Sequence, residues 1–178
     1  MERMEKNLTD NLLEAQLKLG YGGRPMSFNY ITASLGHLLG CGVEEVPGAL
    51  ERFAEFVRPR LGELSFRPIK DGFCITVPEK GTAFVHEKGP DSGFLPEFVE
   101  TVRRHGISLE DVLAVFRKYS GNVTVKESGC EDYDYLVYFT DGQPDDYRYC
   151  LTLEPCLGVG CHVIYHRFIP EDFADLFS

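Results

Sequence analysis

The sequence predicts an α+β fold with antiparallel sheet, and three observations carry that expectation. Apolar residues recur at helical spacing through the first third of the chain. The pattern changes to strict alternation at residue 64, returns to helical spacing near residue 94 and alternates again after Gly121. The links between the last candidate strands are short enough for hairpins, and there is no regular strand–helix–strand alternation. The expected order is a helical N-terminal third, short β-hairpins, a helix pair, a C-terminal antiparallel β-meander and a short closing helix.

Each element has its own signal. Leu8, Leu12, Ala15 and Leu19 mark a first helix that Gly20 ends. After the loop YGGRP, Ser27 is placed to cap a second helix, with Phe28, Ile31, Leu35 and Leu38 on one face. Val46, Leu50, Phe53 and Val57 form a third stripe, with Pro47 in its first turn and Pro59 and Gly62 closing it. In SFRPIKDGFCITVPEKGTAFVHE, Asp71-Gly72 is a hairpin signal and EKG a second turn. These predict strands near 65–70, 73–77 and 82–87, and Pro68 confines the first to a sheet edge.

Phe94, Phe98 and Val102 then make one amphipathic face. Ser108 opens SLED, a capping box with Asp111 in the acceptor position, and Val112, Phe116 and Tyr119 continue the apolar face. Strands follow near 122–128, 134–140, 147–153 and 161–168, joined at the last two links by DGQPDD and PCLGVG. PEDFADLF closes the chain as a short helix with Pro170 in its first turn. No linker divides the 178 residues, so a single domain over 1–178 is expected.

Composition excludes several function classes. The net charge of −10 argues against nucleic acid and against an anionic membrane surface as partners. No run of about 18 apolar residues exists, and the charged start MERMEKNLTD lacks the apolar stretch of a secretory signal. A cytoplasmic location is therefore expected, with the six cysteines as free thiols.

Familiar phosphate and dinucleotide fingerprints are absent. DGQPDD lacks the glycine and glutamate of a calcium loop. His86-Glu87 does not open H-E-x-x-H, and Gly40 stands between His37 and Cys41. What remains is CLGVGCHVIYHRF, where Cys156, Cys161, His162 and His166 are zinc-type ligands.

The local structure works against a metal there. HVIYHRF is rich in β-branched and aromatic residues and reads as a strand, on which Cys161 and His162 point apart. His162 and His166 share a face, yet about 13 Å of strand separates their Cα atoms. Cys156 and Cys161 lack the C-x-x-C spacing of a redox pair. The residues favour a structural reading, with Cys150 and Cys161 in the core and His162, Ile164, His166 and Phe168 on one strand face. On that face His162 or His166 would contact a ligand only together with partners remote in sequence. No metal or other cofactor is implied.

Tyr133, Tyr135, Tyr147 and Tyr149 would line a tyrosine-rich sheet face flanked by Asp132, Asp134, Asp145 and Asp146. Tyrosine is enriched at contact surfaces, so Tyr135, Tyr147 and Tyr149 join His162 and His166 as candidate ligand-binding residues.

The helical front, DYRYCLTLE and the closing HRFIPEDFADLF together resemble a family of small bacterial proteins described only as a domain of unknown function. That resemblance implies no activity, cofactor or catalytic residue. The function expected is a non-catalytic binding or regulatory module for a protein or small ligand. The competing expectation is a metal-dependent or Cys/His hydrolase using His162 and His166 with remote partners. The oligomeric state is left open.

Overall fold

The computed structural model describes residues 1–129 and 131–177, without the Phe177 side chain. Over these residues the chain forms seven α-helices and two antiparallel sheets. It divides into two compact units, Met1–Pro90 and Asp91–Ser178.

In the N-terminal unit, α1 (Glu2–Leu19) buries Met4, Leu8 and Leu12, while Leu19 is 79% exposed beside the Gly20 cap. The apolar stripe therefore begins one turn earlier than expected and ends before Leu19. The chain then enters β1 (Met26–Ile31), so Ser27 lies inside a strand and caps no helix. Phe28 and Leu35 lie at helical spacing by coincidence. The actual pattern in β1 is alternation, with Tyr30 buried and Ser27, Asn29 and Ile31 exposed. The second helix, α2, starts later, at Thr32–Leu39.

A single 3-10 turn (Val43–Glu45) leads to α3 (Val46–Leu61), which buries Val46, Leu50, Phe53 and Val57 as its spacing requires. Strands β2 (Ser65–Ile69) and β3 (Gly72–Val77) form the expected hairpin. The sheet order is β1-β3-β2, so β2 is an edge strand. The Thr32 N–H bond to Asp71 O (2.9 Å) sets the parity of the ladder. By that parity the missing N–H of Pro68 faces away from β3, where it costs no sheet bond.

The third expected strand is instead α4 (Glu79–Lys88). Its signals are Pro78 at the N-cap, Glu79 in the first turn and Gly89 at the C-cap. Those signals outweigh the β-branched character of TAFV. Buried Gln16 on α1 donates to Thr82 O (2.8 Å) and ties α4 to the first helix. The Tyr30 hydroxyl donates to Asn7 Oδ1 (3.0 Å) and accepts from Asn11 (2.8 Å), which satisfies the polar groups under β1.

The C-terminal unit starts with α5 (Phe94–Val102) and α6 (Leu109–Tyr119). Ser108 Oγ accepts from Asp111 N (3.2 Å) and Asp111 Oδ2 accepts from Ser108 N (2.7 Å), which completes the capping box. Strands β4 (Val123–Glu127), β5 (Tyr135–Phe139), β6 (Arg148–Pro155) and β7 (Cys161–Phe168) follow as a meander in that order. The closing helix α7 (Pro170–Phe177) packs against β7. Phe94 centres the core, with ring centroids 4.8–5.7 Å from Phe98, Phe116, Tyr119, Phe139 and Tyr149. No helix among the described residues is long and apolar enough to cross a membrane.

Candidate functional site

The β6–β7 register sorts the candidate residues onto two faces. Tyr149, Leu151 and Leu153 stand opposite Arg167, Tyr165 and Val163, and this face meets the aromatic core. Cys150, Thr152 and Glu154 stand opposite His166, Ile164 and His162 on the other face.

Tyr135, Tyr147 and Tyr149 belong to the inner side. Tyr149 is completely buried, with Phe98 and Phe116 at 5.0 and 5.2 Å. Its hydroxyl donates to Asp145 Oδ2 (2.8 Å). Burial first, then the Asp145 charge, pushes this phenol well above its usual range. Tyr147 is buried under the Arg167 guanidinium, 4.3 Å from the ring centroid. Tyr135 stands opposite Leu151 and is half-buried.

The outer side carries His162, Ile164, His166 and Phe168. His166 is exposed and faces Tyr133, with centroids 5.5 Å apart. Tyr133 therefore does not share a face with Tyr147 and Tyr149, because the segment before β5 folds back over the outer surface. Thr152 Oγ1 donates to Asp132 O (2.9 Å), Leu153 N donates to Asp134 Oδ2 (2.7 Å) and Ser128 Oγ donates to Tyr133 O. The first two bonds pin that segment across β6, and the third ties it to the residue that follows β4.

His162 has a different neighbour. Its ring stacks on His105, 5.1 Å away and tilted by 29°. Its Nδ1 is buried without a hydrogen-bond partner. The two histidines of β7 are thus drawn to separate ring partners, and neither pairing was visible from spacing. Among the described residues no group of three or more His, Cys, Asp or Glu is placed to hold a metal ion. Cys41, Cys74, Cys150, Cys156 and Cys161 are free thiols. Burial raises the Cys161 thiol above its usual range, and its Sγ donates to Ile107 O (3.0 Å).

The loop from Cys156 to Gly160 is a hairpin tip clamped at its base. Cys161 exchanges backbone bonds with Ile107, at 2.7 and 3.2 Å. Gly160 (φ +82°) lies so close to Gly106 that an added Cβ would stand 2.3 Å from its carbonyl carbon. Above this clamp Leu157 is fully exposed and Val159 is 89% exposed.

A groove of about 630 Å³ runs between α5 and α6, bordered by Pro96, Glu97, Glu100, Arg104, Asp111 and Val115. Its charges are matched internally. Glu97 accepts from Lys118 and Tyr119, each at 2.7 Å, and Glu100 accepts from Arg104 at 3.0 Å. The Lys118 bond, then the Tyr119 bond, holds the Glu97 carboxyl below its usual range.

Fold and surface together define a class by architecture: an antiparallel α+β protein whose buried tyrosines serve the core and whose β7 histidines lie on the outer face of the sheet. The chain belongs to DUF3877, a family described as a domain of unknown function from E. rectale, a bacterium, and the match spans residues 1–177. The resemblance seen in DYRYCLTLE and HRFIPEDFADLF is thus borne out at the level of the family. No curated protein and no solved structure matches the chain.

Proposed function

We propose that this protein is a non-catalytic binding module that engages a partner protein through the β6–β7 hairpin tip and the outer face of β7. The observation that carries this reading is the exposure of Leu157 and Val159 above a clamped base. Two branched aliphatic side chains held in water have nothing to gain within their own chain and contribute on contact with a partner. A rigid base lowers the ordering cost of that contact. Ile164 (38% exposed), His162 and His166 extend the surface along β7.

The charge distribution favours a protein over a polyanion as partner. Of the 28 acidic residues 16 follow Pro90, against 7 of the 18 basic ones. The free thiols accord with a cytoplasmic setting.

A photocrosslinking residue at position 157 tests this reading. It should trap one defined adduct in extracts of the source cell, competed by excess unmodified chain but not by a Leu157→Asp, Val159→Asp double variant. Equal competition by the double variant would remove the tip from the contact.

A further inference from the structure

The strands β1, β2, β4 and β7 stand at the edges of the two sheets. An open edge displays unpaired main-chain groups, and folded proteins guard it with charge, proline or a covering segment. All of these edges but β1 are guarded. β2 carries Arg67 and Pro68, β4 ends in Lys126 and Glu127, and β7 carries Arg167 and is held at Cys161 by Ile107. β1 reads MSFNYI and has neither charge nor proline.

The groups that β1 presents follow from its ladder. The Thr32 N–H bond to Asp71 O makes Thr32 and Asp71 a bonded pair, so Tyr30, Phe28 and Met26 also turn their main-chain groups toward β3. Ser27, Asn29 and Ile31 turn theirs outward. These three residues are exposed, Ile31 at 53%. Among the described residues no main-chain acceptor outside the sheet takes up their N–H groups. The Ile31 carbonyl alone is committed, because Ile31 is the N-cap residue of α2 and its C=O enters the first turn.

We infer that β1 pairs antiparallel with β1 of a second copy of this chain, about a two-fold axis beside Phe28, and so joins two three-stranded sheets into one. The edge is self-complementary in that register. Ser27 lies opposite the partner's Asn29, and each exchanges its N–H and C=O with the other. The Ile31 N–H reaches the carbonyl of the partner's Pro25. The return bond would need a Pro25 N–H and an Ile31 carbonyl, and neither is on offer. On the inner side half-buried Phe28 meets the partner's Phe28, and half-buried Met26 meets the partner's Tyr30. On the outer side polar Ser27 meets polar Asn29. A charge on β1 would face its own sign near the axis, and β1 has none. The hairpin tip belongs to the C-terminal unit and plays no part in this pairing.

Sedimentation equilibrium of the full chain is the test, with amide exchange followed residue by residue by NMR. A dimer that dissociates on dilution is expected. Its Ser27 and Asn29 amides should be protected at high concentration and exchange freely at low concentration. The Phe28 and Tyr30 amides, bonded to β3, should stay protected in both. Asn29→Pro removes only an outward N–H from each chain and should weaken the dimer about tenfold or more, with folding checked by circular dichroism. Asn29→Lys should weaken it as well. Adding Ser27→Asp to Asn29→Lys should restore it, because position 27 meets position 29 of the partner. The Leu157→Asp, Val159→Asp variant should dimerise unchanged, so a failed tip reading would leave the result intact. A chain that stays monomeric at all concentrations, a dimer indifferent to Asn29→Pro and Asn29→Lys, or a charge pair that restores nothing would overturn the inference. So would a monomer whose Ser27 and Asn29 amides become protected only on adding extract of the source cell, which would assign the edge to another protein.

Discussion

The two compact units are built from different materials. The N-terminal unit has a largely aliphatic core, in which Leu8, Leu12, Leu35, Leu50 and Leu61 are buried together with Phe53. The C-terminal unit is organised by rings, with Phe94, Phe98, Phe116, Phe139 and Tyr149 in mutual contact. Charge divides the same way, since the acid excess lies almost wholly after Pro90. An aliphatic core fills space through many interchangeable contacts. An aromatic core concentrates its contacts in a few large side chains and depends more on each of them.

The largest expected effect follows directly. Phe94→Ala should cost about 4 kcal/mol, against about 3 kcal/mol for Leu50→Ala in the N-terminal unit, by chemical denaturation. Calorimetry of the same variants tests the single-domain expectation over residues 1–178. One transition shifted by either change supports it, and a second transition that Phe94→Ala leaves untouched would divide the chain into two domains.

A smaller effect concerns the clamp. Gly160→Ala should destabilise by about 2 kcal/mol, because it adds a Cβ at positive φ and against Gly106. Amide exchange should quicken at Cys161 and Ile107 and not in α1; uniform protection would argue against a local clamp.

Smaller again is the capping box. Ser108→Ala should cost about 1 kcal/mol by urea titration. The Asp111 carboxyl lies below its usual range because the Ser108 N–H, then its hydroxyl, binds the charged form. That contribution is present above the ordinary carboxyl range and lost as pH falls through the lowered value. The stability difference between the protein and Asp111→Asn should therefore shrink in acid, and a difference that persists would assign the effect to packing. In the N-terminal unit, the Glu5–Arg60 pair (2.5 and 2.8 Å) is partly exposed and should be worth about 0.5 kcal/mol, less in high salt.

Legibility from sequence also differed between the units. In the C-terminal unit the strands were readable to within about two residues, because polar turns and alternation agree there. The Ser108–Asp111 cap was readable because its chemistry is local. In the N-terminal unit two elements exchanged type. Phe28, Ile31 and Leu35 mimic the spacing of a helix capped by Ser27, where the chain is the strand Met26–Ile31, and the β-prone TAFV mimics a strand near 82–87, inside the helix Glu79–Lys88. Short segments carry too few periods to decide, and the caps Pro78 and Gly89 were the better guide.

The candidate site was legible only in part. Spacing put His162 and His166 on one strand face, as the register bears out. It could not show that Tyr133 folds back onto His166 or that His105 meets His162, because those contacts depend on how distant segments cross.

The clamp beneath the hairpin has a consequence for descent as well as for structure. Gly106 and Gly160 lie 54 positions apart, yet a Cβ on Gly160 would strike the Gly106 backbone, and a Cβ on Gly106, at φ +74°, would stand 3.1 Å from Val159 O in the same tip. A lineage that enlarges one cannot keep the hairpin seated unless the loop between α5 and α6 is rebuilt. The two positions should therefore be inherited as a unit: relatives that retain one glycine retain both, and those that have lost one should differ in the length of the tip.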